Sequence, residues 1–369
     1  MEILLLSLGL LALIIGIGLA YLRLNPQFGG RITAEDRQRY ARSPQWDGKQ
    51  FVNPQETNVD ISLLKVPGLI RENIQYHQAH TPDAPLPVIP FDRAAWNQSQ
   101  SGFQFIWYGH AVCLMRLEGH NFLIDPMLGP DASPVGPVRT RRFSENTLAF
   151  LDELPALQAV FLTHDHYDHL DYQSVLKLKD KVEHFYVALG VKRHLLRWGV
   201  PEDHITEFDW WDEGRLGNIQ FTFTPSRHFS GRSIDDRAKC LWGGWAFHTP
   251  NYRIYWSGDG GYGPHFQEVG QRLGPFDWAF VECGQYYKLW TQVHQLPEEA
   301  VQAVKDARAK IGVPVHWGAF KLAPHHWKEP AERFCKAAVE EGVDFAVPRL
   351  GAMVAAEDQL PREYWWESF

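Results

Sequence analysis

The sequence of 369 residues predicts an α/β sandwich preceded by one apolar N-terminal helix and an irregular extension. Three observations predict it. From Phe103 onward, short apolar runs closed by turns alternate with helically spaced stretches, which is the pattern of layered α/β folds. Ile3 to Leu22 is a run of 20 residues without a charge, the length an α-helix needs to cross a hydrocarbon core. Between them, residues 24 to about 100 are rich in Pro, Gln, Asn and Asp, with Pro82, Pro85, Pro87 and Pro90 close together, and suit an irregular segment wrapping the domain. The expected divisions are an anchor helix over 1–24, an extension over 25–100 and the main domain over 101–369.

The apolar run comes first. It is apolar all round rather than on one face, which argues against a core helix. A cleaved signal peptide is the competing reading, because Gly18-Leu19-Ala20 is a passable small-x-small site. However, no basic region precedes the run, and it is long for a signal's apolar segment. Arg23, Arg31, Arg37, Arg39 and Arg42 all follow it, so the positive-inside tendency places the main domain on the cytoplasmic side of a membrane crossed once.

Ala111 to Leu117 and Phe122 to Ile124 flank Glu118-Gly119-His120-Asn121 and read as a hairpin. Leu157 to Thr163, Ile219 to Thr224, Tyr252 to Trp256 and Val313 to Val315 read as further buried strands. Helices are expected at 298–310 and 331–341, each after a proline suited to a first turn (Pro297, Pro330) and each ended by a glycine (Gly312, Gly342). The composition, 45% hydrophobic and 22% charged, is that of a folded chain. A net charge of −8 works against nucleic acid as a partner, since phosphate backbones are gripped by clustered Lys and Arg. Cys113, Cys240, Cys283 and Cys335 are scattered and suggest neither a disulfide framework nor a thiolate zinc site.

The chemistry is concentrated in Thr163-His164-Asp165-His166-Tyr167-Asp168-His169-Leu170. His164 and His166 are two apart at a strand end, so both imidazoles project to one face and can meet a single cation. Asp168 and His169 then turn away to serve a second. His228, Asp259 and His316 each follow a predicted strand, and strand-end loops are where such folds assemble sites. The expected ligand sets are His164, His166 and His228 for one ion, and Asp168, His169 and His316 for the other, with Asp259 bridging. Nitrogen and carboxylate donors without thiolate suit two zinc ions best, with manganese or iron as alternatives. Two such ions would lower the pKa of a bridging water and clamp a phosphoryl group. The nucleophile is then hydroxide, and the sequence has no G-x-S-x-G to suggest a serine.

These motifs resemble the metallo-β-lactamase superfamily, through Trp107-Tyr108-Gly109-His110-Ala111, Phe122-Leu123-Ile124-Asp125-Pro126, the H-x-H-x-D-H segment, Ser257-Gly258-Asp259 and Val315-His316-Trp317-Gly318. The resemblance implies an αββα sandwich with a dimetal site at one edge. Pro225-Ser226-Arg227-His228-Phe229, Trp242-Gly243-Gly244-Trp245 and His294-Gln295-Leu296-Pro297-Glu298-Glu299-Ala300 make the chain most similar to the N-acylphosphatidylethanolamine-hydrolysing phospholipase D group. That likeness implies cleavage of a membrane phospholipid to phosphatidic acid and an N-acylethanolamine. It also implies that His294 contacts the reacting phosphate or assists the leaving group, so the candidate catalytic residues are Asp168, Asp259 and His294.

The expected partners are a phospholipid substrate and a membrane, with a second copy of the chain as a further candidate. A lactonase or sugar-phosphate hydrolase acting on a soluble substrate is the alternative enzyme, and a membrane-tethered binding protein with structural metals is the alternative from another class. Asp125 is expected to orient a metal ligand. His110 reads equally as a site residue or as a structural histidine. His120, His184, His194, His204, His265, His325 and His326 are expected at the surface. Tyr286 to Trp290, Trp210-Trp211, Trp242 and Trp245 read either as a lipid-facing lip or as core, with core favoured for Trp242 and Trp245.

Overall fold

Two seven-stranded mixed sheets face each other in the computed structural model, which describes residues 2–58, 68, 71, 80–133 and 139–369; the rest of the predicted extension, 59–67, 69–70 and 72–79, lies outside the described residues. The first sheet runs β14-β1-β2-β3-β4-β5-β6, built from β1 (Phe103–Trp107), β2 (Cys113–Leu117), β3 (His120–Ile124), β4 (Leu157–Leu162), β5 (Val182–Ala188), β6 (Ile205–Phe208) and the returning β14 (Met353–Ala355). The second runs β13-β12-β11-β10-β9-β8-β7, from β7 (Glu213–Leu216), β8 (Ile219–Thr224), β9 (Gly244–His248), β10 (Arg253–Trp256), β11 (Phe276–Glu282), β12 (Ala309–Val315) and β13 (Asp344–Phe345). In both sheets antiparallel pairs give way to a parallel run, β3 to β6 in one and β10 to β13 in the other.

The inner faces are aromatic. Phe105 meets Phe280 edge-on at 4.9 Å, and Phe161 meets Phe247, Phe221 and Trp245 at 4.9 to 5.1 Å. Such T-shaped pairs put ring edges on ring faces, and together they join the sheets into one buried core. The strand β8 coincides with the predicted Ile219 to Thr224, and the hairpin closes on Glu118-Gly119, with Leu117 facing His120. His120 therefore begins a strand rather than sitting in the turn.

The helices among the described residues are α1 (Glu2–Leu24), α2 (Ala34–Tyr40), α3 (Arg93–Gln98), α4 (Phe150–Glu153), α5 (Tyr172–Leu178), α6 (Lys192–Arg197), α7 (His265–Arg272), α8 (Pro297–Asp306) and α9 (Glu329–Glu340). The helix expected over 298–310 stops at Asp306. Arg308 turns the chain at φ +59, and Ala309 enters β12, so Gly312 lies inside a strand rather than at a helix end. The cause is tertiary: residues 309–315 pair in parallel with Phe276–Glu282, and a short apolar run is ambiguous until a partner strand decides it.

Leu5–Leu24 of α1 has the length and apolarity to cross a membrane, and none of it is buried. The chain leaving it is fastened to the sandwich. The Arg197 guanidinium donates to the carbonyls of Arg23 (2.8 Å), Leu24, Asn25 and Gly29, which the end of a helix would otherwise leave unpaired. Trp198 Nε1 donates to Pro26 O, Arg232 to Gln27 O, and Arg193 Nε to Gly30 O. Gly30 is required by close approach, because a Cβ there would sit 2.0 Å from Arg193 O. Further along, Phe51 N donates to Ala238 O and Leu86 N to Phe143 O, so the described parts of the extension lie along the domain.

Candidate metal centre

The ends of seven strands build the site. β1, β3 and β4 run in one direction in the first sheet, and β8, β10, β11 and β12 share a direction in the second. Their C-terminal ends open onto one edge of the sandwich and deliver His110, Asp125, His164 to His169, His228, Asp259, Glu282 and His316. His110, Asp125 and His316 each hold positive φ (+54, +40 and +69). Such strained backbone persists only where surrounding structure over-determines it. Gly258 at φ +63 passes so close to Gly243 that a Cβ would lie 2.1 Å from its carbonyl oxygen, which fixes the approach of Asp259.

All seven residues expected as ligands come together. His164 Nε2 lies 2.9 Å and His228 Nε2 lies 3.2 Å from His166 Nδ1. The second set is equally close: Asp259 Oδ2 is 2.9 Å from both His169 Nε2 and His316 Nε2, and Asp168 Oδ2 is 3.3 Å from His316 Nε2. Asp259 Oδ2 also lies 3.9 Å from His228 Nε2, so one carboxylate faces both sets.

The tautomers follow from the partners. The Val293 carbonyl accepts from His228 Nδ1 at 2.8 Å, leaving Nε2 bare. The Thr163 hydroxyl donates to Asp125 at 2.6 Å and accepts from His164 Nδ1 at 3.0 Å, which again leaves Nε2 bare. Asp125 accepts from His169 Nδ1 at 2.8 Å with the same result, the orienting position expected of it. The bare Nε2 atoms of His164 and His228 both face His166 Nδ1, an arrangement that fits a cation. Tetrahedral bonds of zinc-like length set neighbouring nitrogens about 3.3 Å apart, close to the spacings seen.

Charge agrees with the donors in the first set, whereas in the second burial is outweighed by the carboxylates of Asp259 and Asp168, which raise His169 to about 10 and His316 well above the usual histidine range. Burial, then neighbouring imidazoles, hold His164 and His228 well below the usual histidine range. Burial likewise brings His166 down to about 4. Neutral imidazole is the form that coordinates. Burial opposes the anionic forms of Asp168 and Asp259, but the imidazoles of His169 beside both and of His316 outweigh it and keep both carboxyls well below the usual range. A buried donor set of this composition wants positive charge, and the residues present fit a divalent metal.

The family described as the beta-lactamase superfamily domain matches residues 120–317, more than half of the chain. The chain belongs to the metallo-β-lactamase superfamily. An uncharacterised protein of Mycobacterium tuberculosis is 38% identical over 332 residues, 88% of each chain. N-acyl-phosphatidylethanolamine-hydrolyzing phospholipase D 1 of Caenorhabditis elegans is 31% identical over 318 residues, covering 80% of this chain and 88% of the worm protein. A metallo hydrolase from the archaeon Ignicoccus hospitalis has the same fold, with a TM-score of 0.55 at 19% identity over 70% of this chain and 99% of that one. The expected resemblance and the α/β two-sheet fold of this superfamily therefore hold, and the chain is a metallohydrolase by family.

Around the ligands lies a cleft of about 250 Å³ lined by His166, Asp168, Phe229, Asp259, Trp290 and His294, among others. His294 Nδ1 donates to Glu282, whose other carboxylate oxygen accepts from Gly260 N. Glu282 escaped the sequence reading, although a carboxylate closing the apolar run Phe276 to Val281 at a strand end was its signal. His110 belongs to the site: it is fully buried with Nε2 2.7 Å from Asp168 Oδ2. Burial and the nearby His316 bring it down to about 3. The lip reading divides. Trp290 borders the cleft, whereas Tyr286 is buried with its hydroxyl donating to Glu329, and Trp210, Trp242 and Trp245 are core.

His194 corrects the surface expectation. It is fully buried, with Nε2 donating to Asp165 Oδ2 at 3.1 Å and Nδ1 accepting from Gly30 N at 3.0 Å. The polar stretch Lys192–Arg197 looks like an exposed helix in sequence, and the segment leaving α1 covers it.

Proposed function

We propose that this chain is a phospholipase D-type phosphodiesterase that releases an N-acylethanolamine from N-acylphosphatidylethanolamine or a related membrane phospholipid. The observation that carries the reading is the convergence of two donor sets on Asp259 at the floor of a cleft walled by Phe229, Trp290 and Leu322. The likeness to the worm phospholipase across most of both chains supports the substrate class. In this reading His164, His166 and His228 hold one ion, and Asp168, His169 and His316 the other, with Asp259 shared and zinc the metal that suits the donors best. The helix α1 is the membrane anchor, and the arginines after it face the cytoplasm.

When bound, a divalent pair supplies Lewis acidity toward phosphoryl oxygens and makes a water nucleophilic near neutral pH. The chain's own residues do the rest. Asp125, Thr163 and the Val293 carbonyl fix which nitrogen each histidine offers. Phe229 and Trp290 exclude solvent beside the reacting phosphate. Glu282 holds the His294 Nδ1 proton, so Nε2 is the nitrogen left to meet a phosphate oxygen or the departing group. Water adds to phosphorus, the bond from phosphorus to the ethanolamine oxygen breaks, and that oxygen leaves with a proton.

The full-length protein with N-acylphosphatidylethanolamine in mixed micelles is expected to yield phosphatidic acid and N-acylethanolamine, read by mass spectrometry. His164→Ala is expected to lose metal and activity together. His294→Ala is expected to lower turnover by about 10²–10⁴ with both metals retained by plasma emission analysis. No product from metal-replete enzyme, or release of free fatty acid in its place, would overturn the reading.

A further inference from the structure

A cavity of about 340 Å³ lies where α1 meets the domain, and it has no lining residue in common with the catalytic cleft. Six cationic side chains and two carboxylates line it, in a chain whose net charge is −8. The cations divide by task. Arg193 and Arg197 are spent on backbone carbonyls of the segment leaving α1 and of the underlying loops, and Lys239 on the Lys49 carbonyl. Among the described residues, Arg23, Arg31 and Arg37 make no side-chain hydrogen bond or ion pair, and all three are exposed. Of the carboxylates, Asp236 is engaged by the backbone N–H groups of Arg232 and Ser233 and by Arg193, whereas Asp235 has no partner among the described residues.

The apolar part of the lining points the same way. Leu19, exposed, and Leu22, half-buried, belong to the apolar helix, and Ile234, 79% exposed, stands on the loop opposite. Unspent guanidiniums beside apolar side chains, at the level where a spanning helix leaves the bilayer, match an anionic lipid: phosphate on the arginines, acyl chains along the helix. We infer that this junction is a binding site, separate from the catalytic centre, for an anionic phospholipid. This rests on the reading of α1 as a membrane anchor.

The test uses the full-length protein in phosphatidylcholine nanodiscs containing a minor fraction of phosphatidylglycerol, with retained lipid counted by native mass spectrometry after release. The wild type is expected to keep one phosphatidylglycerol. The triple variant Arg23→Gln, Arg31→Gln, Arg37→Gln is expected to lose it by more than about tenfold, since each arginine near a membrane surface is worth roughly fivefold. Asp259→Asn, altered in the catalytic cleft, is expected to retain it. Equal retention by the triple variant overturns the site. So does loss in Asp259→Asn, which would place the lipid at the metals, or displacement by glycerol phosphate as readily as by lipid, which would make it a plain anion site. Flotation with phosphatidylcholine vesicles reports the anchor separately. A chain that fails to float yet retains phosphatidylglycerol from micelles refutes the anchor and keeps the site.

Discussion

At the scale of residues, the centre depends on side chains that touch no substrate. Asp125 accepts from Thr163 N, from the Thr163 hydroxyl and from His169 Nδ1, so one buried carboxylate orients two of the proposed ligands. Asp125→Asn turns an amide donor toward a nitrogen that must itself donate. Metal affinity, measured by competition with a chelator, is expected to fall about 10- to 100-fold, with the thermal transition still cooperative. His194 is the second such residue. An amide N–H from Gly30 can only donate, so Nδ1 must be unprotonated. Burial, and then the charge of Arg193, bring His194 down to about 3 from 6.5, against the pull of Asp165. The unfolded chain therefore takes up this proton below pH 6.5 while the folded chain resists it, and the stability contributed is lost as pH falls from 6.5 toward 3. Melts between pH 6 and 4 are expected to show His194→Asn less stable at neutral pH but flatter in its acid slope, by up to about 1.4 kcal/mol per pH unit. An unchanged slope would mean that His194 is protonated in the fold.

At the scale of elements, Arg232 ties the segment leaving α1 to the metal loop. Its guanidinium donates to Gln27 O and to the carbonyls of Asp165, inside the H-x-H-x-D-H run, and of Leu170, directly after it. Removal of residues 1–24 leaves these bonds in place, whereas removal of 1–32 cuts both this link and the Gly30 to His194 to Asp165 link. With a soluble phosphodiester, the first truncation is expected to turn over within about twofold of the full chain. The second is expected to lose at least about tenfold, on the rule that groups orienting ligands are worth that much. Equal rates would show the links to be structural alone. None of this wiring is legible in sequence, because Gly30 and His194, like Gln27 and Arg232, are far apart in the chain and polar without pattern. The seven candidate residues that converge were legible because histidine and aspartate stand there at fixed spacings next to strand ends. β8 was legible because its run is bounded by turns. β12 was legible only at Val313 to Val315, because Ala309 to Gly312 continues the apolar spacing of α8 and is claimed for the sheet by β11 and β13.

At the scale of the whole molecule, the sandwich gathers seven strand ends on one edge, and the segment leaving the apolar helix α1 is fastened to the loop at that edge through Arg232. The end of α1 is held by Arg197 at the carbonyls of Arg23 and Leu24, and the following residues by Arg197 at Asn25 and Gly29 and by Trp198, Arg193 and Arg232. In the proposed reading of α1 as an anchor, a helix fastened in this way sets the orientation of the cleft as well as its distance from the bilayer. Tethering alone raises the effective concentration of substrate, so the two contributions can be separated. A flexible Gly-Ser linker inserted between Leu24 and Asn25 keeps the tether and the segment 25–30 but divides the carbonyl cap. Turnover of N-acylphosphatidylethanolamine in vesicles is expected to fall by about tenfold, because positioning lost at a reacting centre costs rate steeply. Turnover of the same lipid in detergent micelles, which approach the cleft from any side, is expected to stay within about twofold. If vesicle and micelle rates fell together, the insertion would have damaged the metal loop through Arg232; if neither fell, the orientation of the domain would play no part in catalysis.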